Sequence, residues 1–544
     1  MPARRQGRVR LPIREATGQR AVVRLPLAEA KKGGKMISKT SSFGLFGLEA
    51  YPVEIEIDVA KGLPTVTLVG LTDTAIKESR ERVRSAIKNS GFQWPSQRIT
   101  VNLAPSDIKK EGSCFDLAIA LGILASTGQI NAELLRNFIF LGELSLDGRI
   151  RQVRGILAIS LAMANSAMKN LVLPAENAKE AGIVPNLSAW PQNNLRETVQ
   201  FLSDPLLRRP FKLTPEQALE SNTDYELDFS EVKGQYFAKR ALEVAVSGGH
   251  NILLIGPPGS GKTMLAKRIP TIMPGLTLDE ALEITRIHSV AGTLLKKDGF
   301  MGTRPFRCPH HSISDIALIG GGSIPKPGEI SLAHYGVLFL DELPEFSRKA
   351  LEALRQPLEE DRICISRIKR TIIFPACFIL AAALNPCPCG NYFDPQKTCH
   401  CHPAKVKNYL GKISGPLLDR IDIHIEVPQV RYRELSDVSE AESSKIIRQR
   451  VENARAIQQE RFKSAGIFCN SQMRNKLIKK YCVLDKQAQE LLRMAISELG
   501  FSARAYDKIL KVSRTVSDLD GSENIRAKHV AEAIQYRSLD RSFR

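Results

Sequence analysis

No stretch of the sequence is long enough to cross a bilayer. Its longest apolar runs, such as Ala376 to Leu384, stop at nine residues, against the roughly 18–20 a membrane-spanning helix requires. The basic N-terminus is followed by no apolar core of a signal peptide, so a cytoplasmic location is expected. The ten cysteines are then no disulfide framework, because a 544-residue chain without an export signal sits in a reducing compartment. Acid is in deficit: 58 Asp and Glu face 77 Lys and Arg, a formal net charge of +19. Ten of the basic residues fall in the first 35 positions, where the acids are Glu15 and Glu29. Such a surplus is compatible with a polyanionic partner and equally with a merely basic, soluble surface.

With 43% hydrophobic and 25% charged residues, the chain can bury sizeable cores, and at roughly 100–200 residues per domain it should form two to four domains. Residues 1–35 read as a disordered basic arm, with Met36 a candidate for the true start. Residues 36–205 form a mixed block. Val53, Ile55, Ile57 and Val59 alternate with Glu54, Glu56 and Asp58 as a half-buried strand, and Ile99, Val101 and Leu103 repeat the pattern. Asp73–Asn89 and Phe115–Ala125 read as helices. A linker is expected over 206–228, an α/β domain over 229–433 and a helix-rich tail over 434–544. Ile252–Ile255, Val337–Leu340 and Phe378–Leu384 are continuous apolar runs, as expected of parallel strands buried on both faces.

The first of these strands runs into Gly256-Pro257-Pro258-Gly259-Ser260-Gly261-Lys262-Thr263, followed by a helical pattern. The spacing fits a phosphate-binding loop. Glycines let successive N–H groups turn inward, the helix N-terminus adds its dipole, and Lys262 reaches the β- and γ-phosphates of ATP. Thr263 would ligate Mg²⁺. Val337–Leu340 places Asp341 at a strand's carboxyl end, where it can hold the same Mg²⁺, with Glu342 beside it to polarise the attacking water. Alone, an apolar run ending in Asp-Glu is more often a strand entering a polar loop. Asn385 ends the third strand, placed to sense the γ-phosphate or simply to begin an Asn-Pro turn.

Cys387-x-Cys389 and Cys399-x-Cys401 put four thiols in a fifteen-residue window. Four soft ligands suit a closed tetrahedral Zn²⁺ site, structural rather than catalytic, with free thiols in a loop as the alternative. An insertion over 386–403, stapled at a pore or ring face, is expected.

These elements, in this order, resemble the AAA+ ATPases. Ser414-Gly415-Pro416-Leu417-Leu418-Asp419-Arg420-Ile421-Asp422, Phe501-Ser502-Ala503-Arg504-Ala505, Asn385-Pro386-Cys387-Pro388-Cys389-Gly390 and Gly44-Leu45-Phe46-Gly47 narrow the resemblance to the magnesium-chelatase-like branch, and within it to the ComM/YifB competence-protein family, over roughly residues 37–540. The resemblance implies an α/β multi-domain fold: a Lon-protease-like α+β N-terminal domain, an AAA+ domain with a parallel sheet, and a C-terminal helical lid. It implies that Arg420 is an arginine finger acting on a neighbouring subunit, hence a ring, expected to be a hexamer, and that Arg504 is the sensor-2 arginine of the lid. Arg367, Lys369 and Arg370 would tip a pore hairpin that contacts DNA phosphates, and Gly320–Ser323 would form the other pore element. In the Lon-like block the catalytic lysine position falls on Leu157 and the nucleophile on Ser113 or Cys114, which implies a non-catalytic scaffold.

The function so implied is ATP-driven branch migration or helicase action on branched or single-stranded DNA in recombination and transformation, with other recombination proteins as partners. Two rivals stand beside it. A chelatase-type chaperone driving metal insertion would need an integrin-like metal-ion domain, and no Asp-x-Ser-x-Ser occurs. An ATP-dependent peptidase would need the missing lysine.

Overall fold

Side chains alternate faces along a strand, so the Val53/Ile55/Ile57 series goes inward while Glu54 stays exposed. The computed structural model describes residues 37–539 apart from 71–72, 107, 109, 111, 206–207, 215–216, 218–224, 295–298, 323–324, 367–370, 393–396, 431–440, 500 and 538. The basic arm therefore lies outside the described residues.

The first sheet is built from β1 (Ile37–Phe46), β2 (Glu49–Ala60), β3 (Val66–Val69), β4 (Arg98–Ala104) and β5 (Ile139–Phe140), with a short hairpin of β6 (Glu143–Leu144) and β7 (Ile150–Arg151) beside it, then β8 (Asn170–Pro174) and β9 (Ser188–Gln192). Its order is β3-β4-β2-β1-β5-β8-β9, with β1–β2 and β2–β4 antiparallel and the other pairs parallel. Helix Asp116–Ser126, buried over almost its whole length, lies on β1 and β2. Gly122 permits that approach: a Cβ there would stand 2.0 Å from the Ile57 Cδ1. Part of the stretch read as a linker extends this sheet's edge instead. The Phe211 N–H donates to the Ala189 carbonyl of β9 at 2.8 Å, satisfying an edge group that would otherwise stay open, and the Leu213 N–H donates at 2.9 Å to the Gly182 carbonyl at the end of helix Ala178–Gly182.

The second sheet holds β10 (Ile252–Ile255), β11 (Phe306–Arg307), β14 (Val337–Leu340), β17 (Ile379–Leu384) and β18 (Ile423–Glu426) in the order β11-β14-β17-β10-β18, every pair parallel. β10, β14 and β17 are buried at every residue, as their unbroken apolar runs require. Two small hairpins project from this domain: β12 (Gly320–Gly321) with β13 (Lys326–Pro327), and β15 (Arg362–Ser366) with β16 (Thr371–Pro375). Positive φ at Gly320, Gly321 and Gly322 makes the first turn. Ser323 lies outside the described residues.

The C-terminal helices Ser444–Phe462, Asn475–Tyr481, Lys486–Leu499, Ala503–Leu519 and Ala527–Gln535 share one continuous core with helix Tyr236–Gly248 and one face of the second sheet. The two sheets are also joined. Helix Leu278–Ala291 of the second packs on helix Ile156–Ala164 of the first, the Gly155 N–H donates to the Ser289 carbonyl at 3.1 Å, and the Ser289 hydroxyl to Glu180 at 2.5 Å. The β1–β2 turn reaches across as well, the bare backbone of Gly47 fitting against Ile372 of β16. Among the described residues no helix is long and apolar enough to cross a membrane.

Candidate functional site

The register of the second sheet sets Ile255 beside Leu384 and Leu340 beside Ala382, so three strand ends deliver their next residues to one edge. β10 continues into Gly256–Thr263. Gly259 and Gly261 take φ of +77° and +87°, which turns the chain around a hollow and starts helix Lys262–Ile272 on it. Gly256 must be bare, since a Cβ would stand 2.2 Å from the Val427 carbonyl oxygen. The Lys262 ammonium donates to the Gly256 and Pro257 carbonyls at 2.7 and 2.9 Å and to Asn385 Oδ1 at 3.2 Å. Burial pulls its pKa below the ordinary lysine value, opposed by the charges of Asp341 and Glu342. The Ser260 hydroxyl is buried without a partner among the described residues. The left-handed glycines, the helix start and this unpartnered hydroxyl together fit a phosphate.

From β14, Asp341 accepts from the Thr263 hydroxyl at 2.7 Å through one oxygen and from the Glu342 N–H at 3.0 Å through the other. Glu342 sits at φ +53°, a left-handed kink that aims its carboxylate past the strand end. There it meets His311 Nδ1 at 3.4 Å. Two hydrogen-bonded pairs, Lys262–Asn385 and Thr263–Asp341, thus meet through the adjacent loop residues Lys262 and Thr263, with Glu342 next to Asp341.

Arg420 and Arg504 make their contacts elsewhere. Arg420 donates to the Pro416 carbonyl at 2.6 Å and pairs with Glu359. Arg504, 60% exposed, lies 4.0 Å from Asp419, beside Arg420 rather than on the phosphate loop. Just after them Asp422 is buried against Lys508 and accepts from the Asn251 N–H at 2.9 Å. Burial alone would raise its pKa, but the Lys508 ammonium and His250 hold it far below the usual carboxylate range. Arg367, Lys369 and Arg370 lie outside the described residues.

The sulfurs of Cys387, Cys389, Cys399 and Cys401 lie within 4.8 Å of one another. Hydrogen bonding from the Asn391 main chain and from Cys387 lowers the Cys389 thiol, while bonds to Cys389 and Cys387 leave Cys399 and Cys401 raised, so without an ion the cluster shares one thiolate among its thiols.

In the first sheet's block, Leu157 is fully buried among apolar side chains, with Cys114 packed against the same core. Burial, and then the charge of Asp116, push the Cys114 thiol up to about 12. Ser113 donates to Glu143. With Leu157 at the lysine position, no Ser-Lys pair is formed.

Three features were not visible in the motifs. Gln235, at φ +53°, donates to the Ser260 carbonyl at 2.5 Å and spans toward Pro428. An open cleft of about 840 Å³ adjoins it, lined by Tyr236, Phe237, His424, Glu426 and Gln535. His311 faces Glu342. Gln235 precedes its helix with no capping side chain, so composition gives no signal for it. His311 sits in Cys308-Pro309-His310-His311, a cluster that could have drawn attention.

Comparison with known proteins follows the same division. The family model described as magnesium chelatase, subunit ChlI, matches residues 228–435, that of subunit ChlI of Mg-chelatase residues 55–177, and that of the ChlI C-terminal region residues 441–537. The chain is 45% identical over 497 residues to the competence protein ComM of Haemophilus influenzae, covering 91% of this chain and 96% of that one. It is 43% identical over 499 residues to YifB of Salmonella typhimurium and 42% identical over 497 residues to YifB of Escherichia coli, with 91% of this chain and 96% of each relative covered.

Proposed function

This chain belongs to the ComM/YifB family of magnesium-chelatase-like AAA+ ATPases, and from that premise we propose that it is a ring-forming, cytoplasmic motor that uses ATP hydrolysis to move branched or single-stranded DNA during recombination. The H. influenzae relative is named a competence protein, which supports a role in the uptake of transforming DNA. The observation that carries the reading is the joining of Lys262, Thr263, Asp341 and Asn385 at one sheet edge.

There the loop N–H groups and Lys262 bind the β- and γ-phosphates of ATP, and the cleft beside Gln235 has the size for its base and ribose. Thr263 and Asp341 would hold Mg²⁺, which supplies charge neutralisation on the phosphate oxygens. Glu342, steadied by His311, polarises the attacking water. Asn385 meets the γ-phosphate as Lys262 leaves its carbonyl partners. Arg420 exchanges Glu359 for the γ-phosphate of the neighbouring subunit, and Arg504 stands on the same face to join it. Hydrolysis is then completed across a subunit boundary, which calls for a ring, by family resemblance a hexamer. Arg367, Lys369 and Arg370 grip DNA phosphates, and the four cysteines hold a structural zinc.

The test is the ATPase rate with and without a four-way DNA junction. Stimulation is expected, lost in Lys262→Ala and in Arg420→Ala alone, and partly regained when the two variants are mixed, since each supplies what the other lacks. ATP hydrolysis indifferent to every DNA tested would sink the DNA reading. The ChlI matches favour one alternative, a chaperone that remodels a metal-inserting partner. It requires stimulation by a porphyrin-binding protein instead.

A further inference from the structure

The cysteine cluster stands against the phosphate loop. Cys387 Sγ lies 3.3 Å from that of Cys389 and 3.7 Å from that of Cys399, and Cys389 lies 3.6 Å from Cys399. A disulfide holds its sulfurs at about 2.0 Å, whereas four thiolates about 2.3 Å from a tetrahedral Zn²⁺ stand about 3.8 Å apart. The separations are those of a metal knuckle.

What the knuckle touches is more informative than what it holds. Cys387 is fully buried and follows Asn385 by two residues. The Gly390 N–H closes a turn onto the Cys387 carbonyl at 2.9 Å. At φ +82° the Gly390 backbone lies so close to the phosphate loop that a Cβ would stand 2.3 Å from Pro258 Cδ and 2.7 Å from its Cγ. The second pair of ligands, Cys399 and Cys401, leads into helix Pro403–Leu410, capped by His402. Tyr409 of that helix hydrogen-bonds the main chain of Asn385, and the chain then continues to Arg420. The fifteen residues from Cys387 to Cys401 therefore connect the γ-phosphate sensor, the roof of the phosphate loop and the strand of chain that carries the finger.

We propose that the four-cysteine metal site is a clasp on the nucleotide site: with the ion bound, Gly390 is pressed on Pro258 and the phosphate loop is held in its ATP-binding shape, and with the ion lost the loop slackens. The inference rests on the zinc reading of the cluster given above. The physical reason is that four metal–sulfur bonds fix a segment that has little apolar core of its own, as structural zinc does in small modules. A clasp of this kind also makes hydrolysis answer to metal supply and to thiol oxidation, since oxidised thiols cannot ligate.

The experiment uses the full chain and zinc itself as the probe. Metal content, affinity for a fluorescent ATP analogue and melting temperature are measured for the wild type before and after chelation, for Cys389→Ser/Cys399→Ser, and for Gly390→Ala. About one zinc per chain is expected. Chelation or loss of the two cysteines should weaken nucleotide binding at least tenfold, with re-added zinc restoring only the chelated wild type. Gly390→Ala should keep its zinc and still lose affinity severalfold, because it disturbs the contact and leaves the ligands alone. No bound zinc in any preparation overturns the zinc reading and the clasp with it. Bound zinc whose removal leaves nucleotide affinity unchanged, or full affinity in Gly390→Ala, overturns the clasp and leaves a purely structural metal site.

Discussion

Two carboxylates, Asp116 in the first α/β block and Asp341 in the second, are held in contrasting ways. Asp116 of the first block is sealed. It accepts from Arg82 Nε at 2.8 Å, from the Ser79 hydroxyl and from the Leu144 N–H at 3.3 Å, so every lone pair is used within the chain. Asp341 of the second block is partly open, and its partners Thr263 and Glu342 are themselves site residues. The same contrast holds for the positive groups. Where a lysine would be needed in the first block stands Leu157, in the core, while Lys262 of the second rests on carbonyls of its own loop that a phosphate can replace. The polar groups of the second block are held by partners a ligand can displace, and those of the first by partners that stay.

The largest effect that sharpens this contrast is on hydrolysis. Lys262→Ala should lower the ATPase rate by about 100-fold or more, the scale set by removing one preorganised donor from a developing charge, whereas Cys114→Ala should leave it unchanged. Next comes stability. Asp422→Asn strands the buried Lys508 and should cost about 3–5 kcal/mol in denaturant unfolding at pH 7. Because the folded-state pKa of Asp422 is depressed, its contribution is present above the ordinary carboxylate pKa and lost as pH falls, so the gap to wild type should close below about pH 4. Asp116 should behave in the opposite sense. Burial raises it to about 6, so its contribution is full below the ordinary carboxylate range and lost as pH rises through 6. Unfolding midpoints of wild type and Asp116→Asn should therefore converge by about 2–3 kcal/mol between pH 4 and pH 7, and a gap that widens instead would mean that Arg82 outweighs burial. The smallest effect is at Ser113. Ser113→Ala removes one hydrogen bond to Glu143 and should cost about 1 kcal/mol, with ATP hydrolysis untouched. A measurable peptidase activity lost in this variant would break the comparison outright.

How much of this was legible depended on how local each feature is. The phosphate loop is written in backbone requirements of eight adjacent residues, and Asp341 and Asn385 follow from the apolar strands that carry them, so all could be placed from sequence. β1 could not. Its inward positions Ser38, Thr40 and Ser42 are hydroxyls, bonded to the carbonyls of Gly122, Ala118 and Phe140, and an inward face of that kind leaves no hydrophobic alternation to find. The His311–Glu342 and Gly390–Pro258 contacts join residues far apart in the chain, and no periodicity encodes them. The arginines were recognised by resemblance, but their place beside Asp419 and Glu359, away from the loop of their own chain, comes from the tertiary packing. Part of the expected linker is a related case: the triplet Phe211-Lys212-Leu213 is too short to read as a strand, yet Phe211 pairs with Ala189 at the sheet edge.

The Gly47 turn has a mechanical meaning. It stands with no side chain against Ile372, which pairs with Ile365 one step from the last described pair of the β15–β16 hairpin, Ser366 with Thr371. Any displacement of β16 would therefore bear on the first block through this turn, which has no side chain to yield. Together with the Ser289–Glu180 bond, the turn gives the two blocks a second point of attachment, so neither can shift without loading the other.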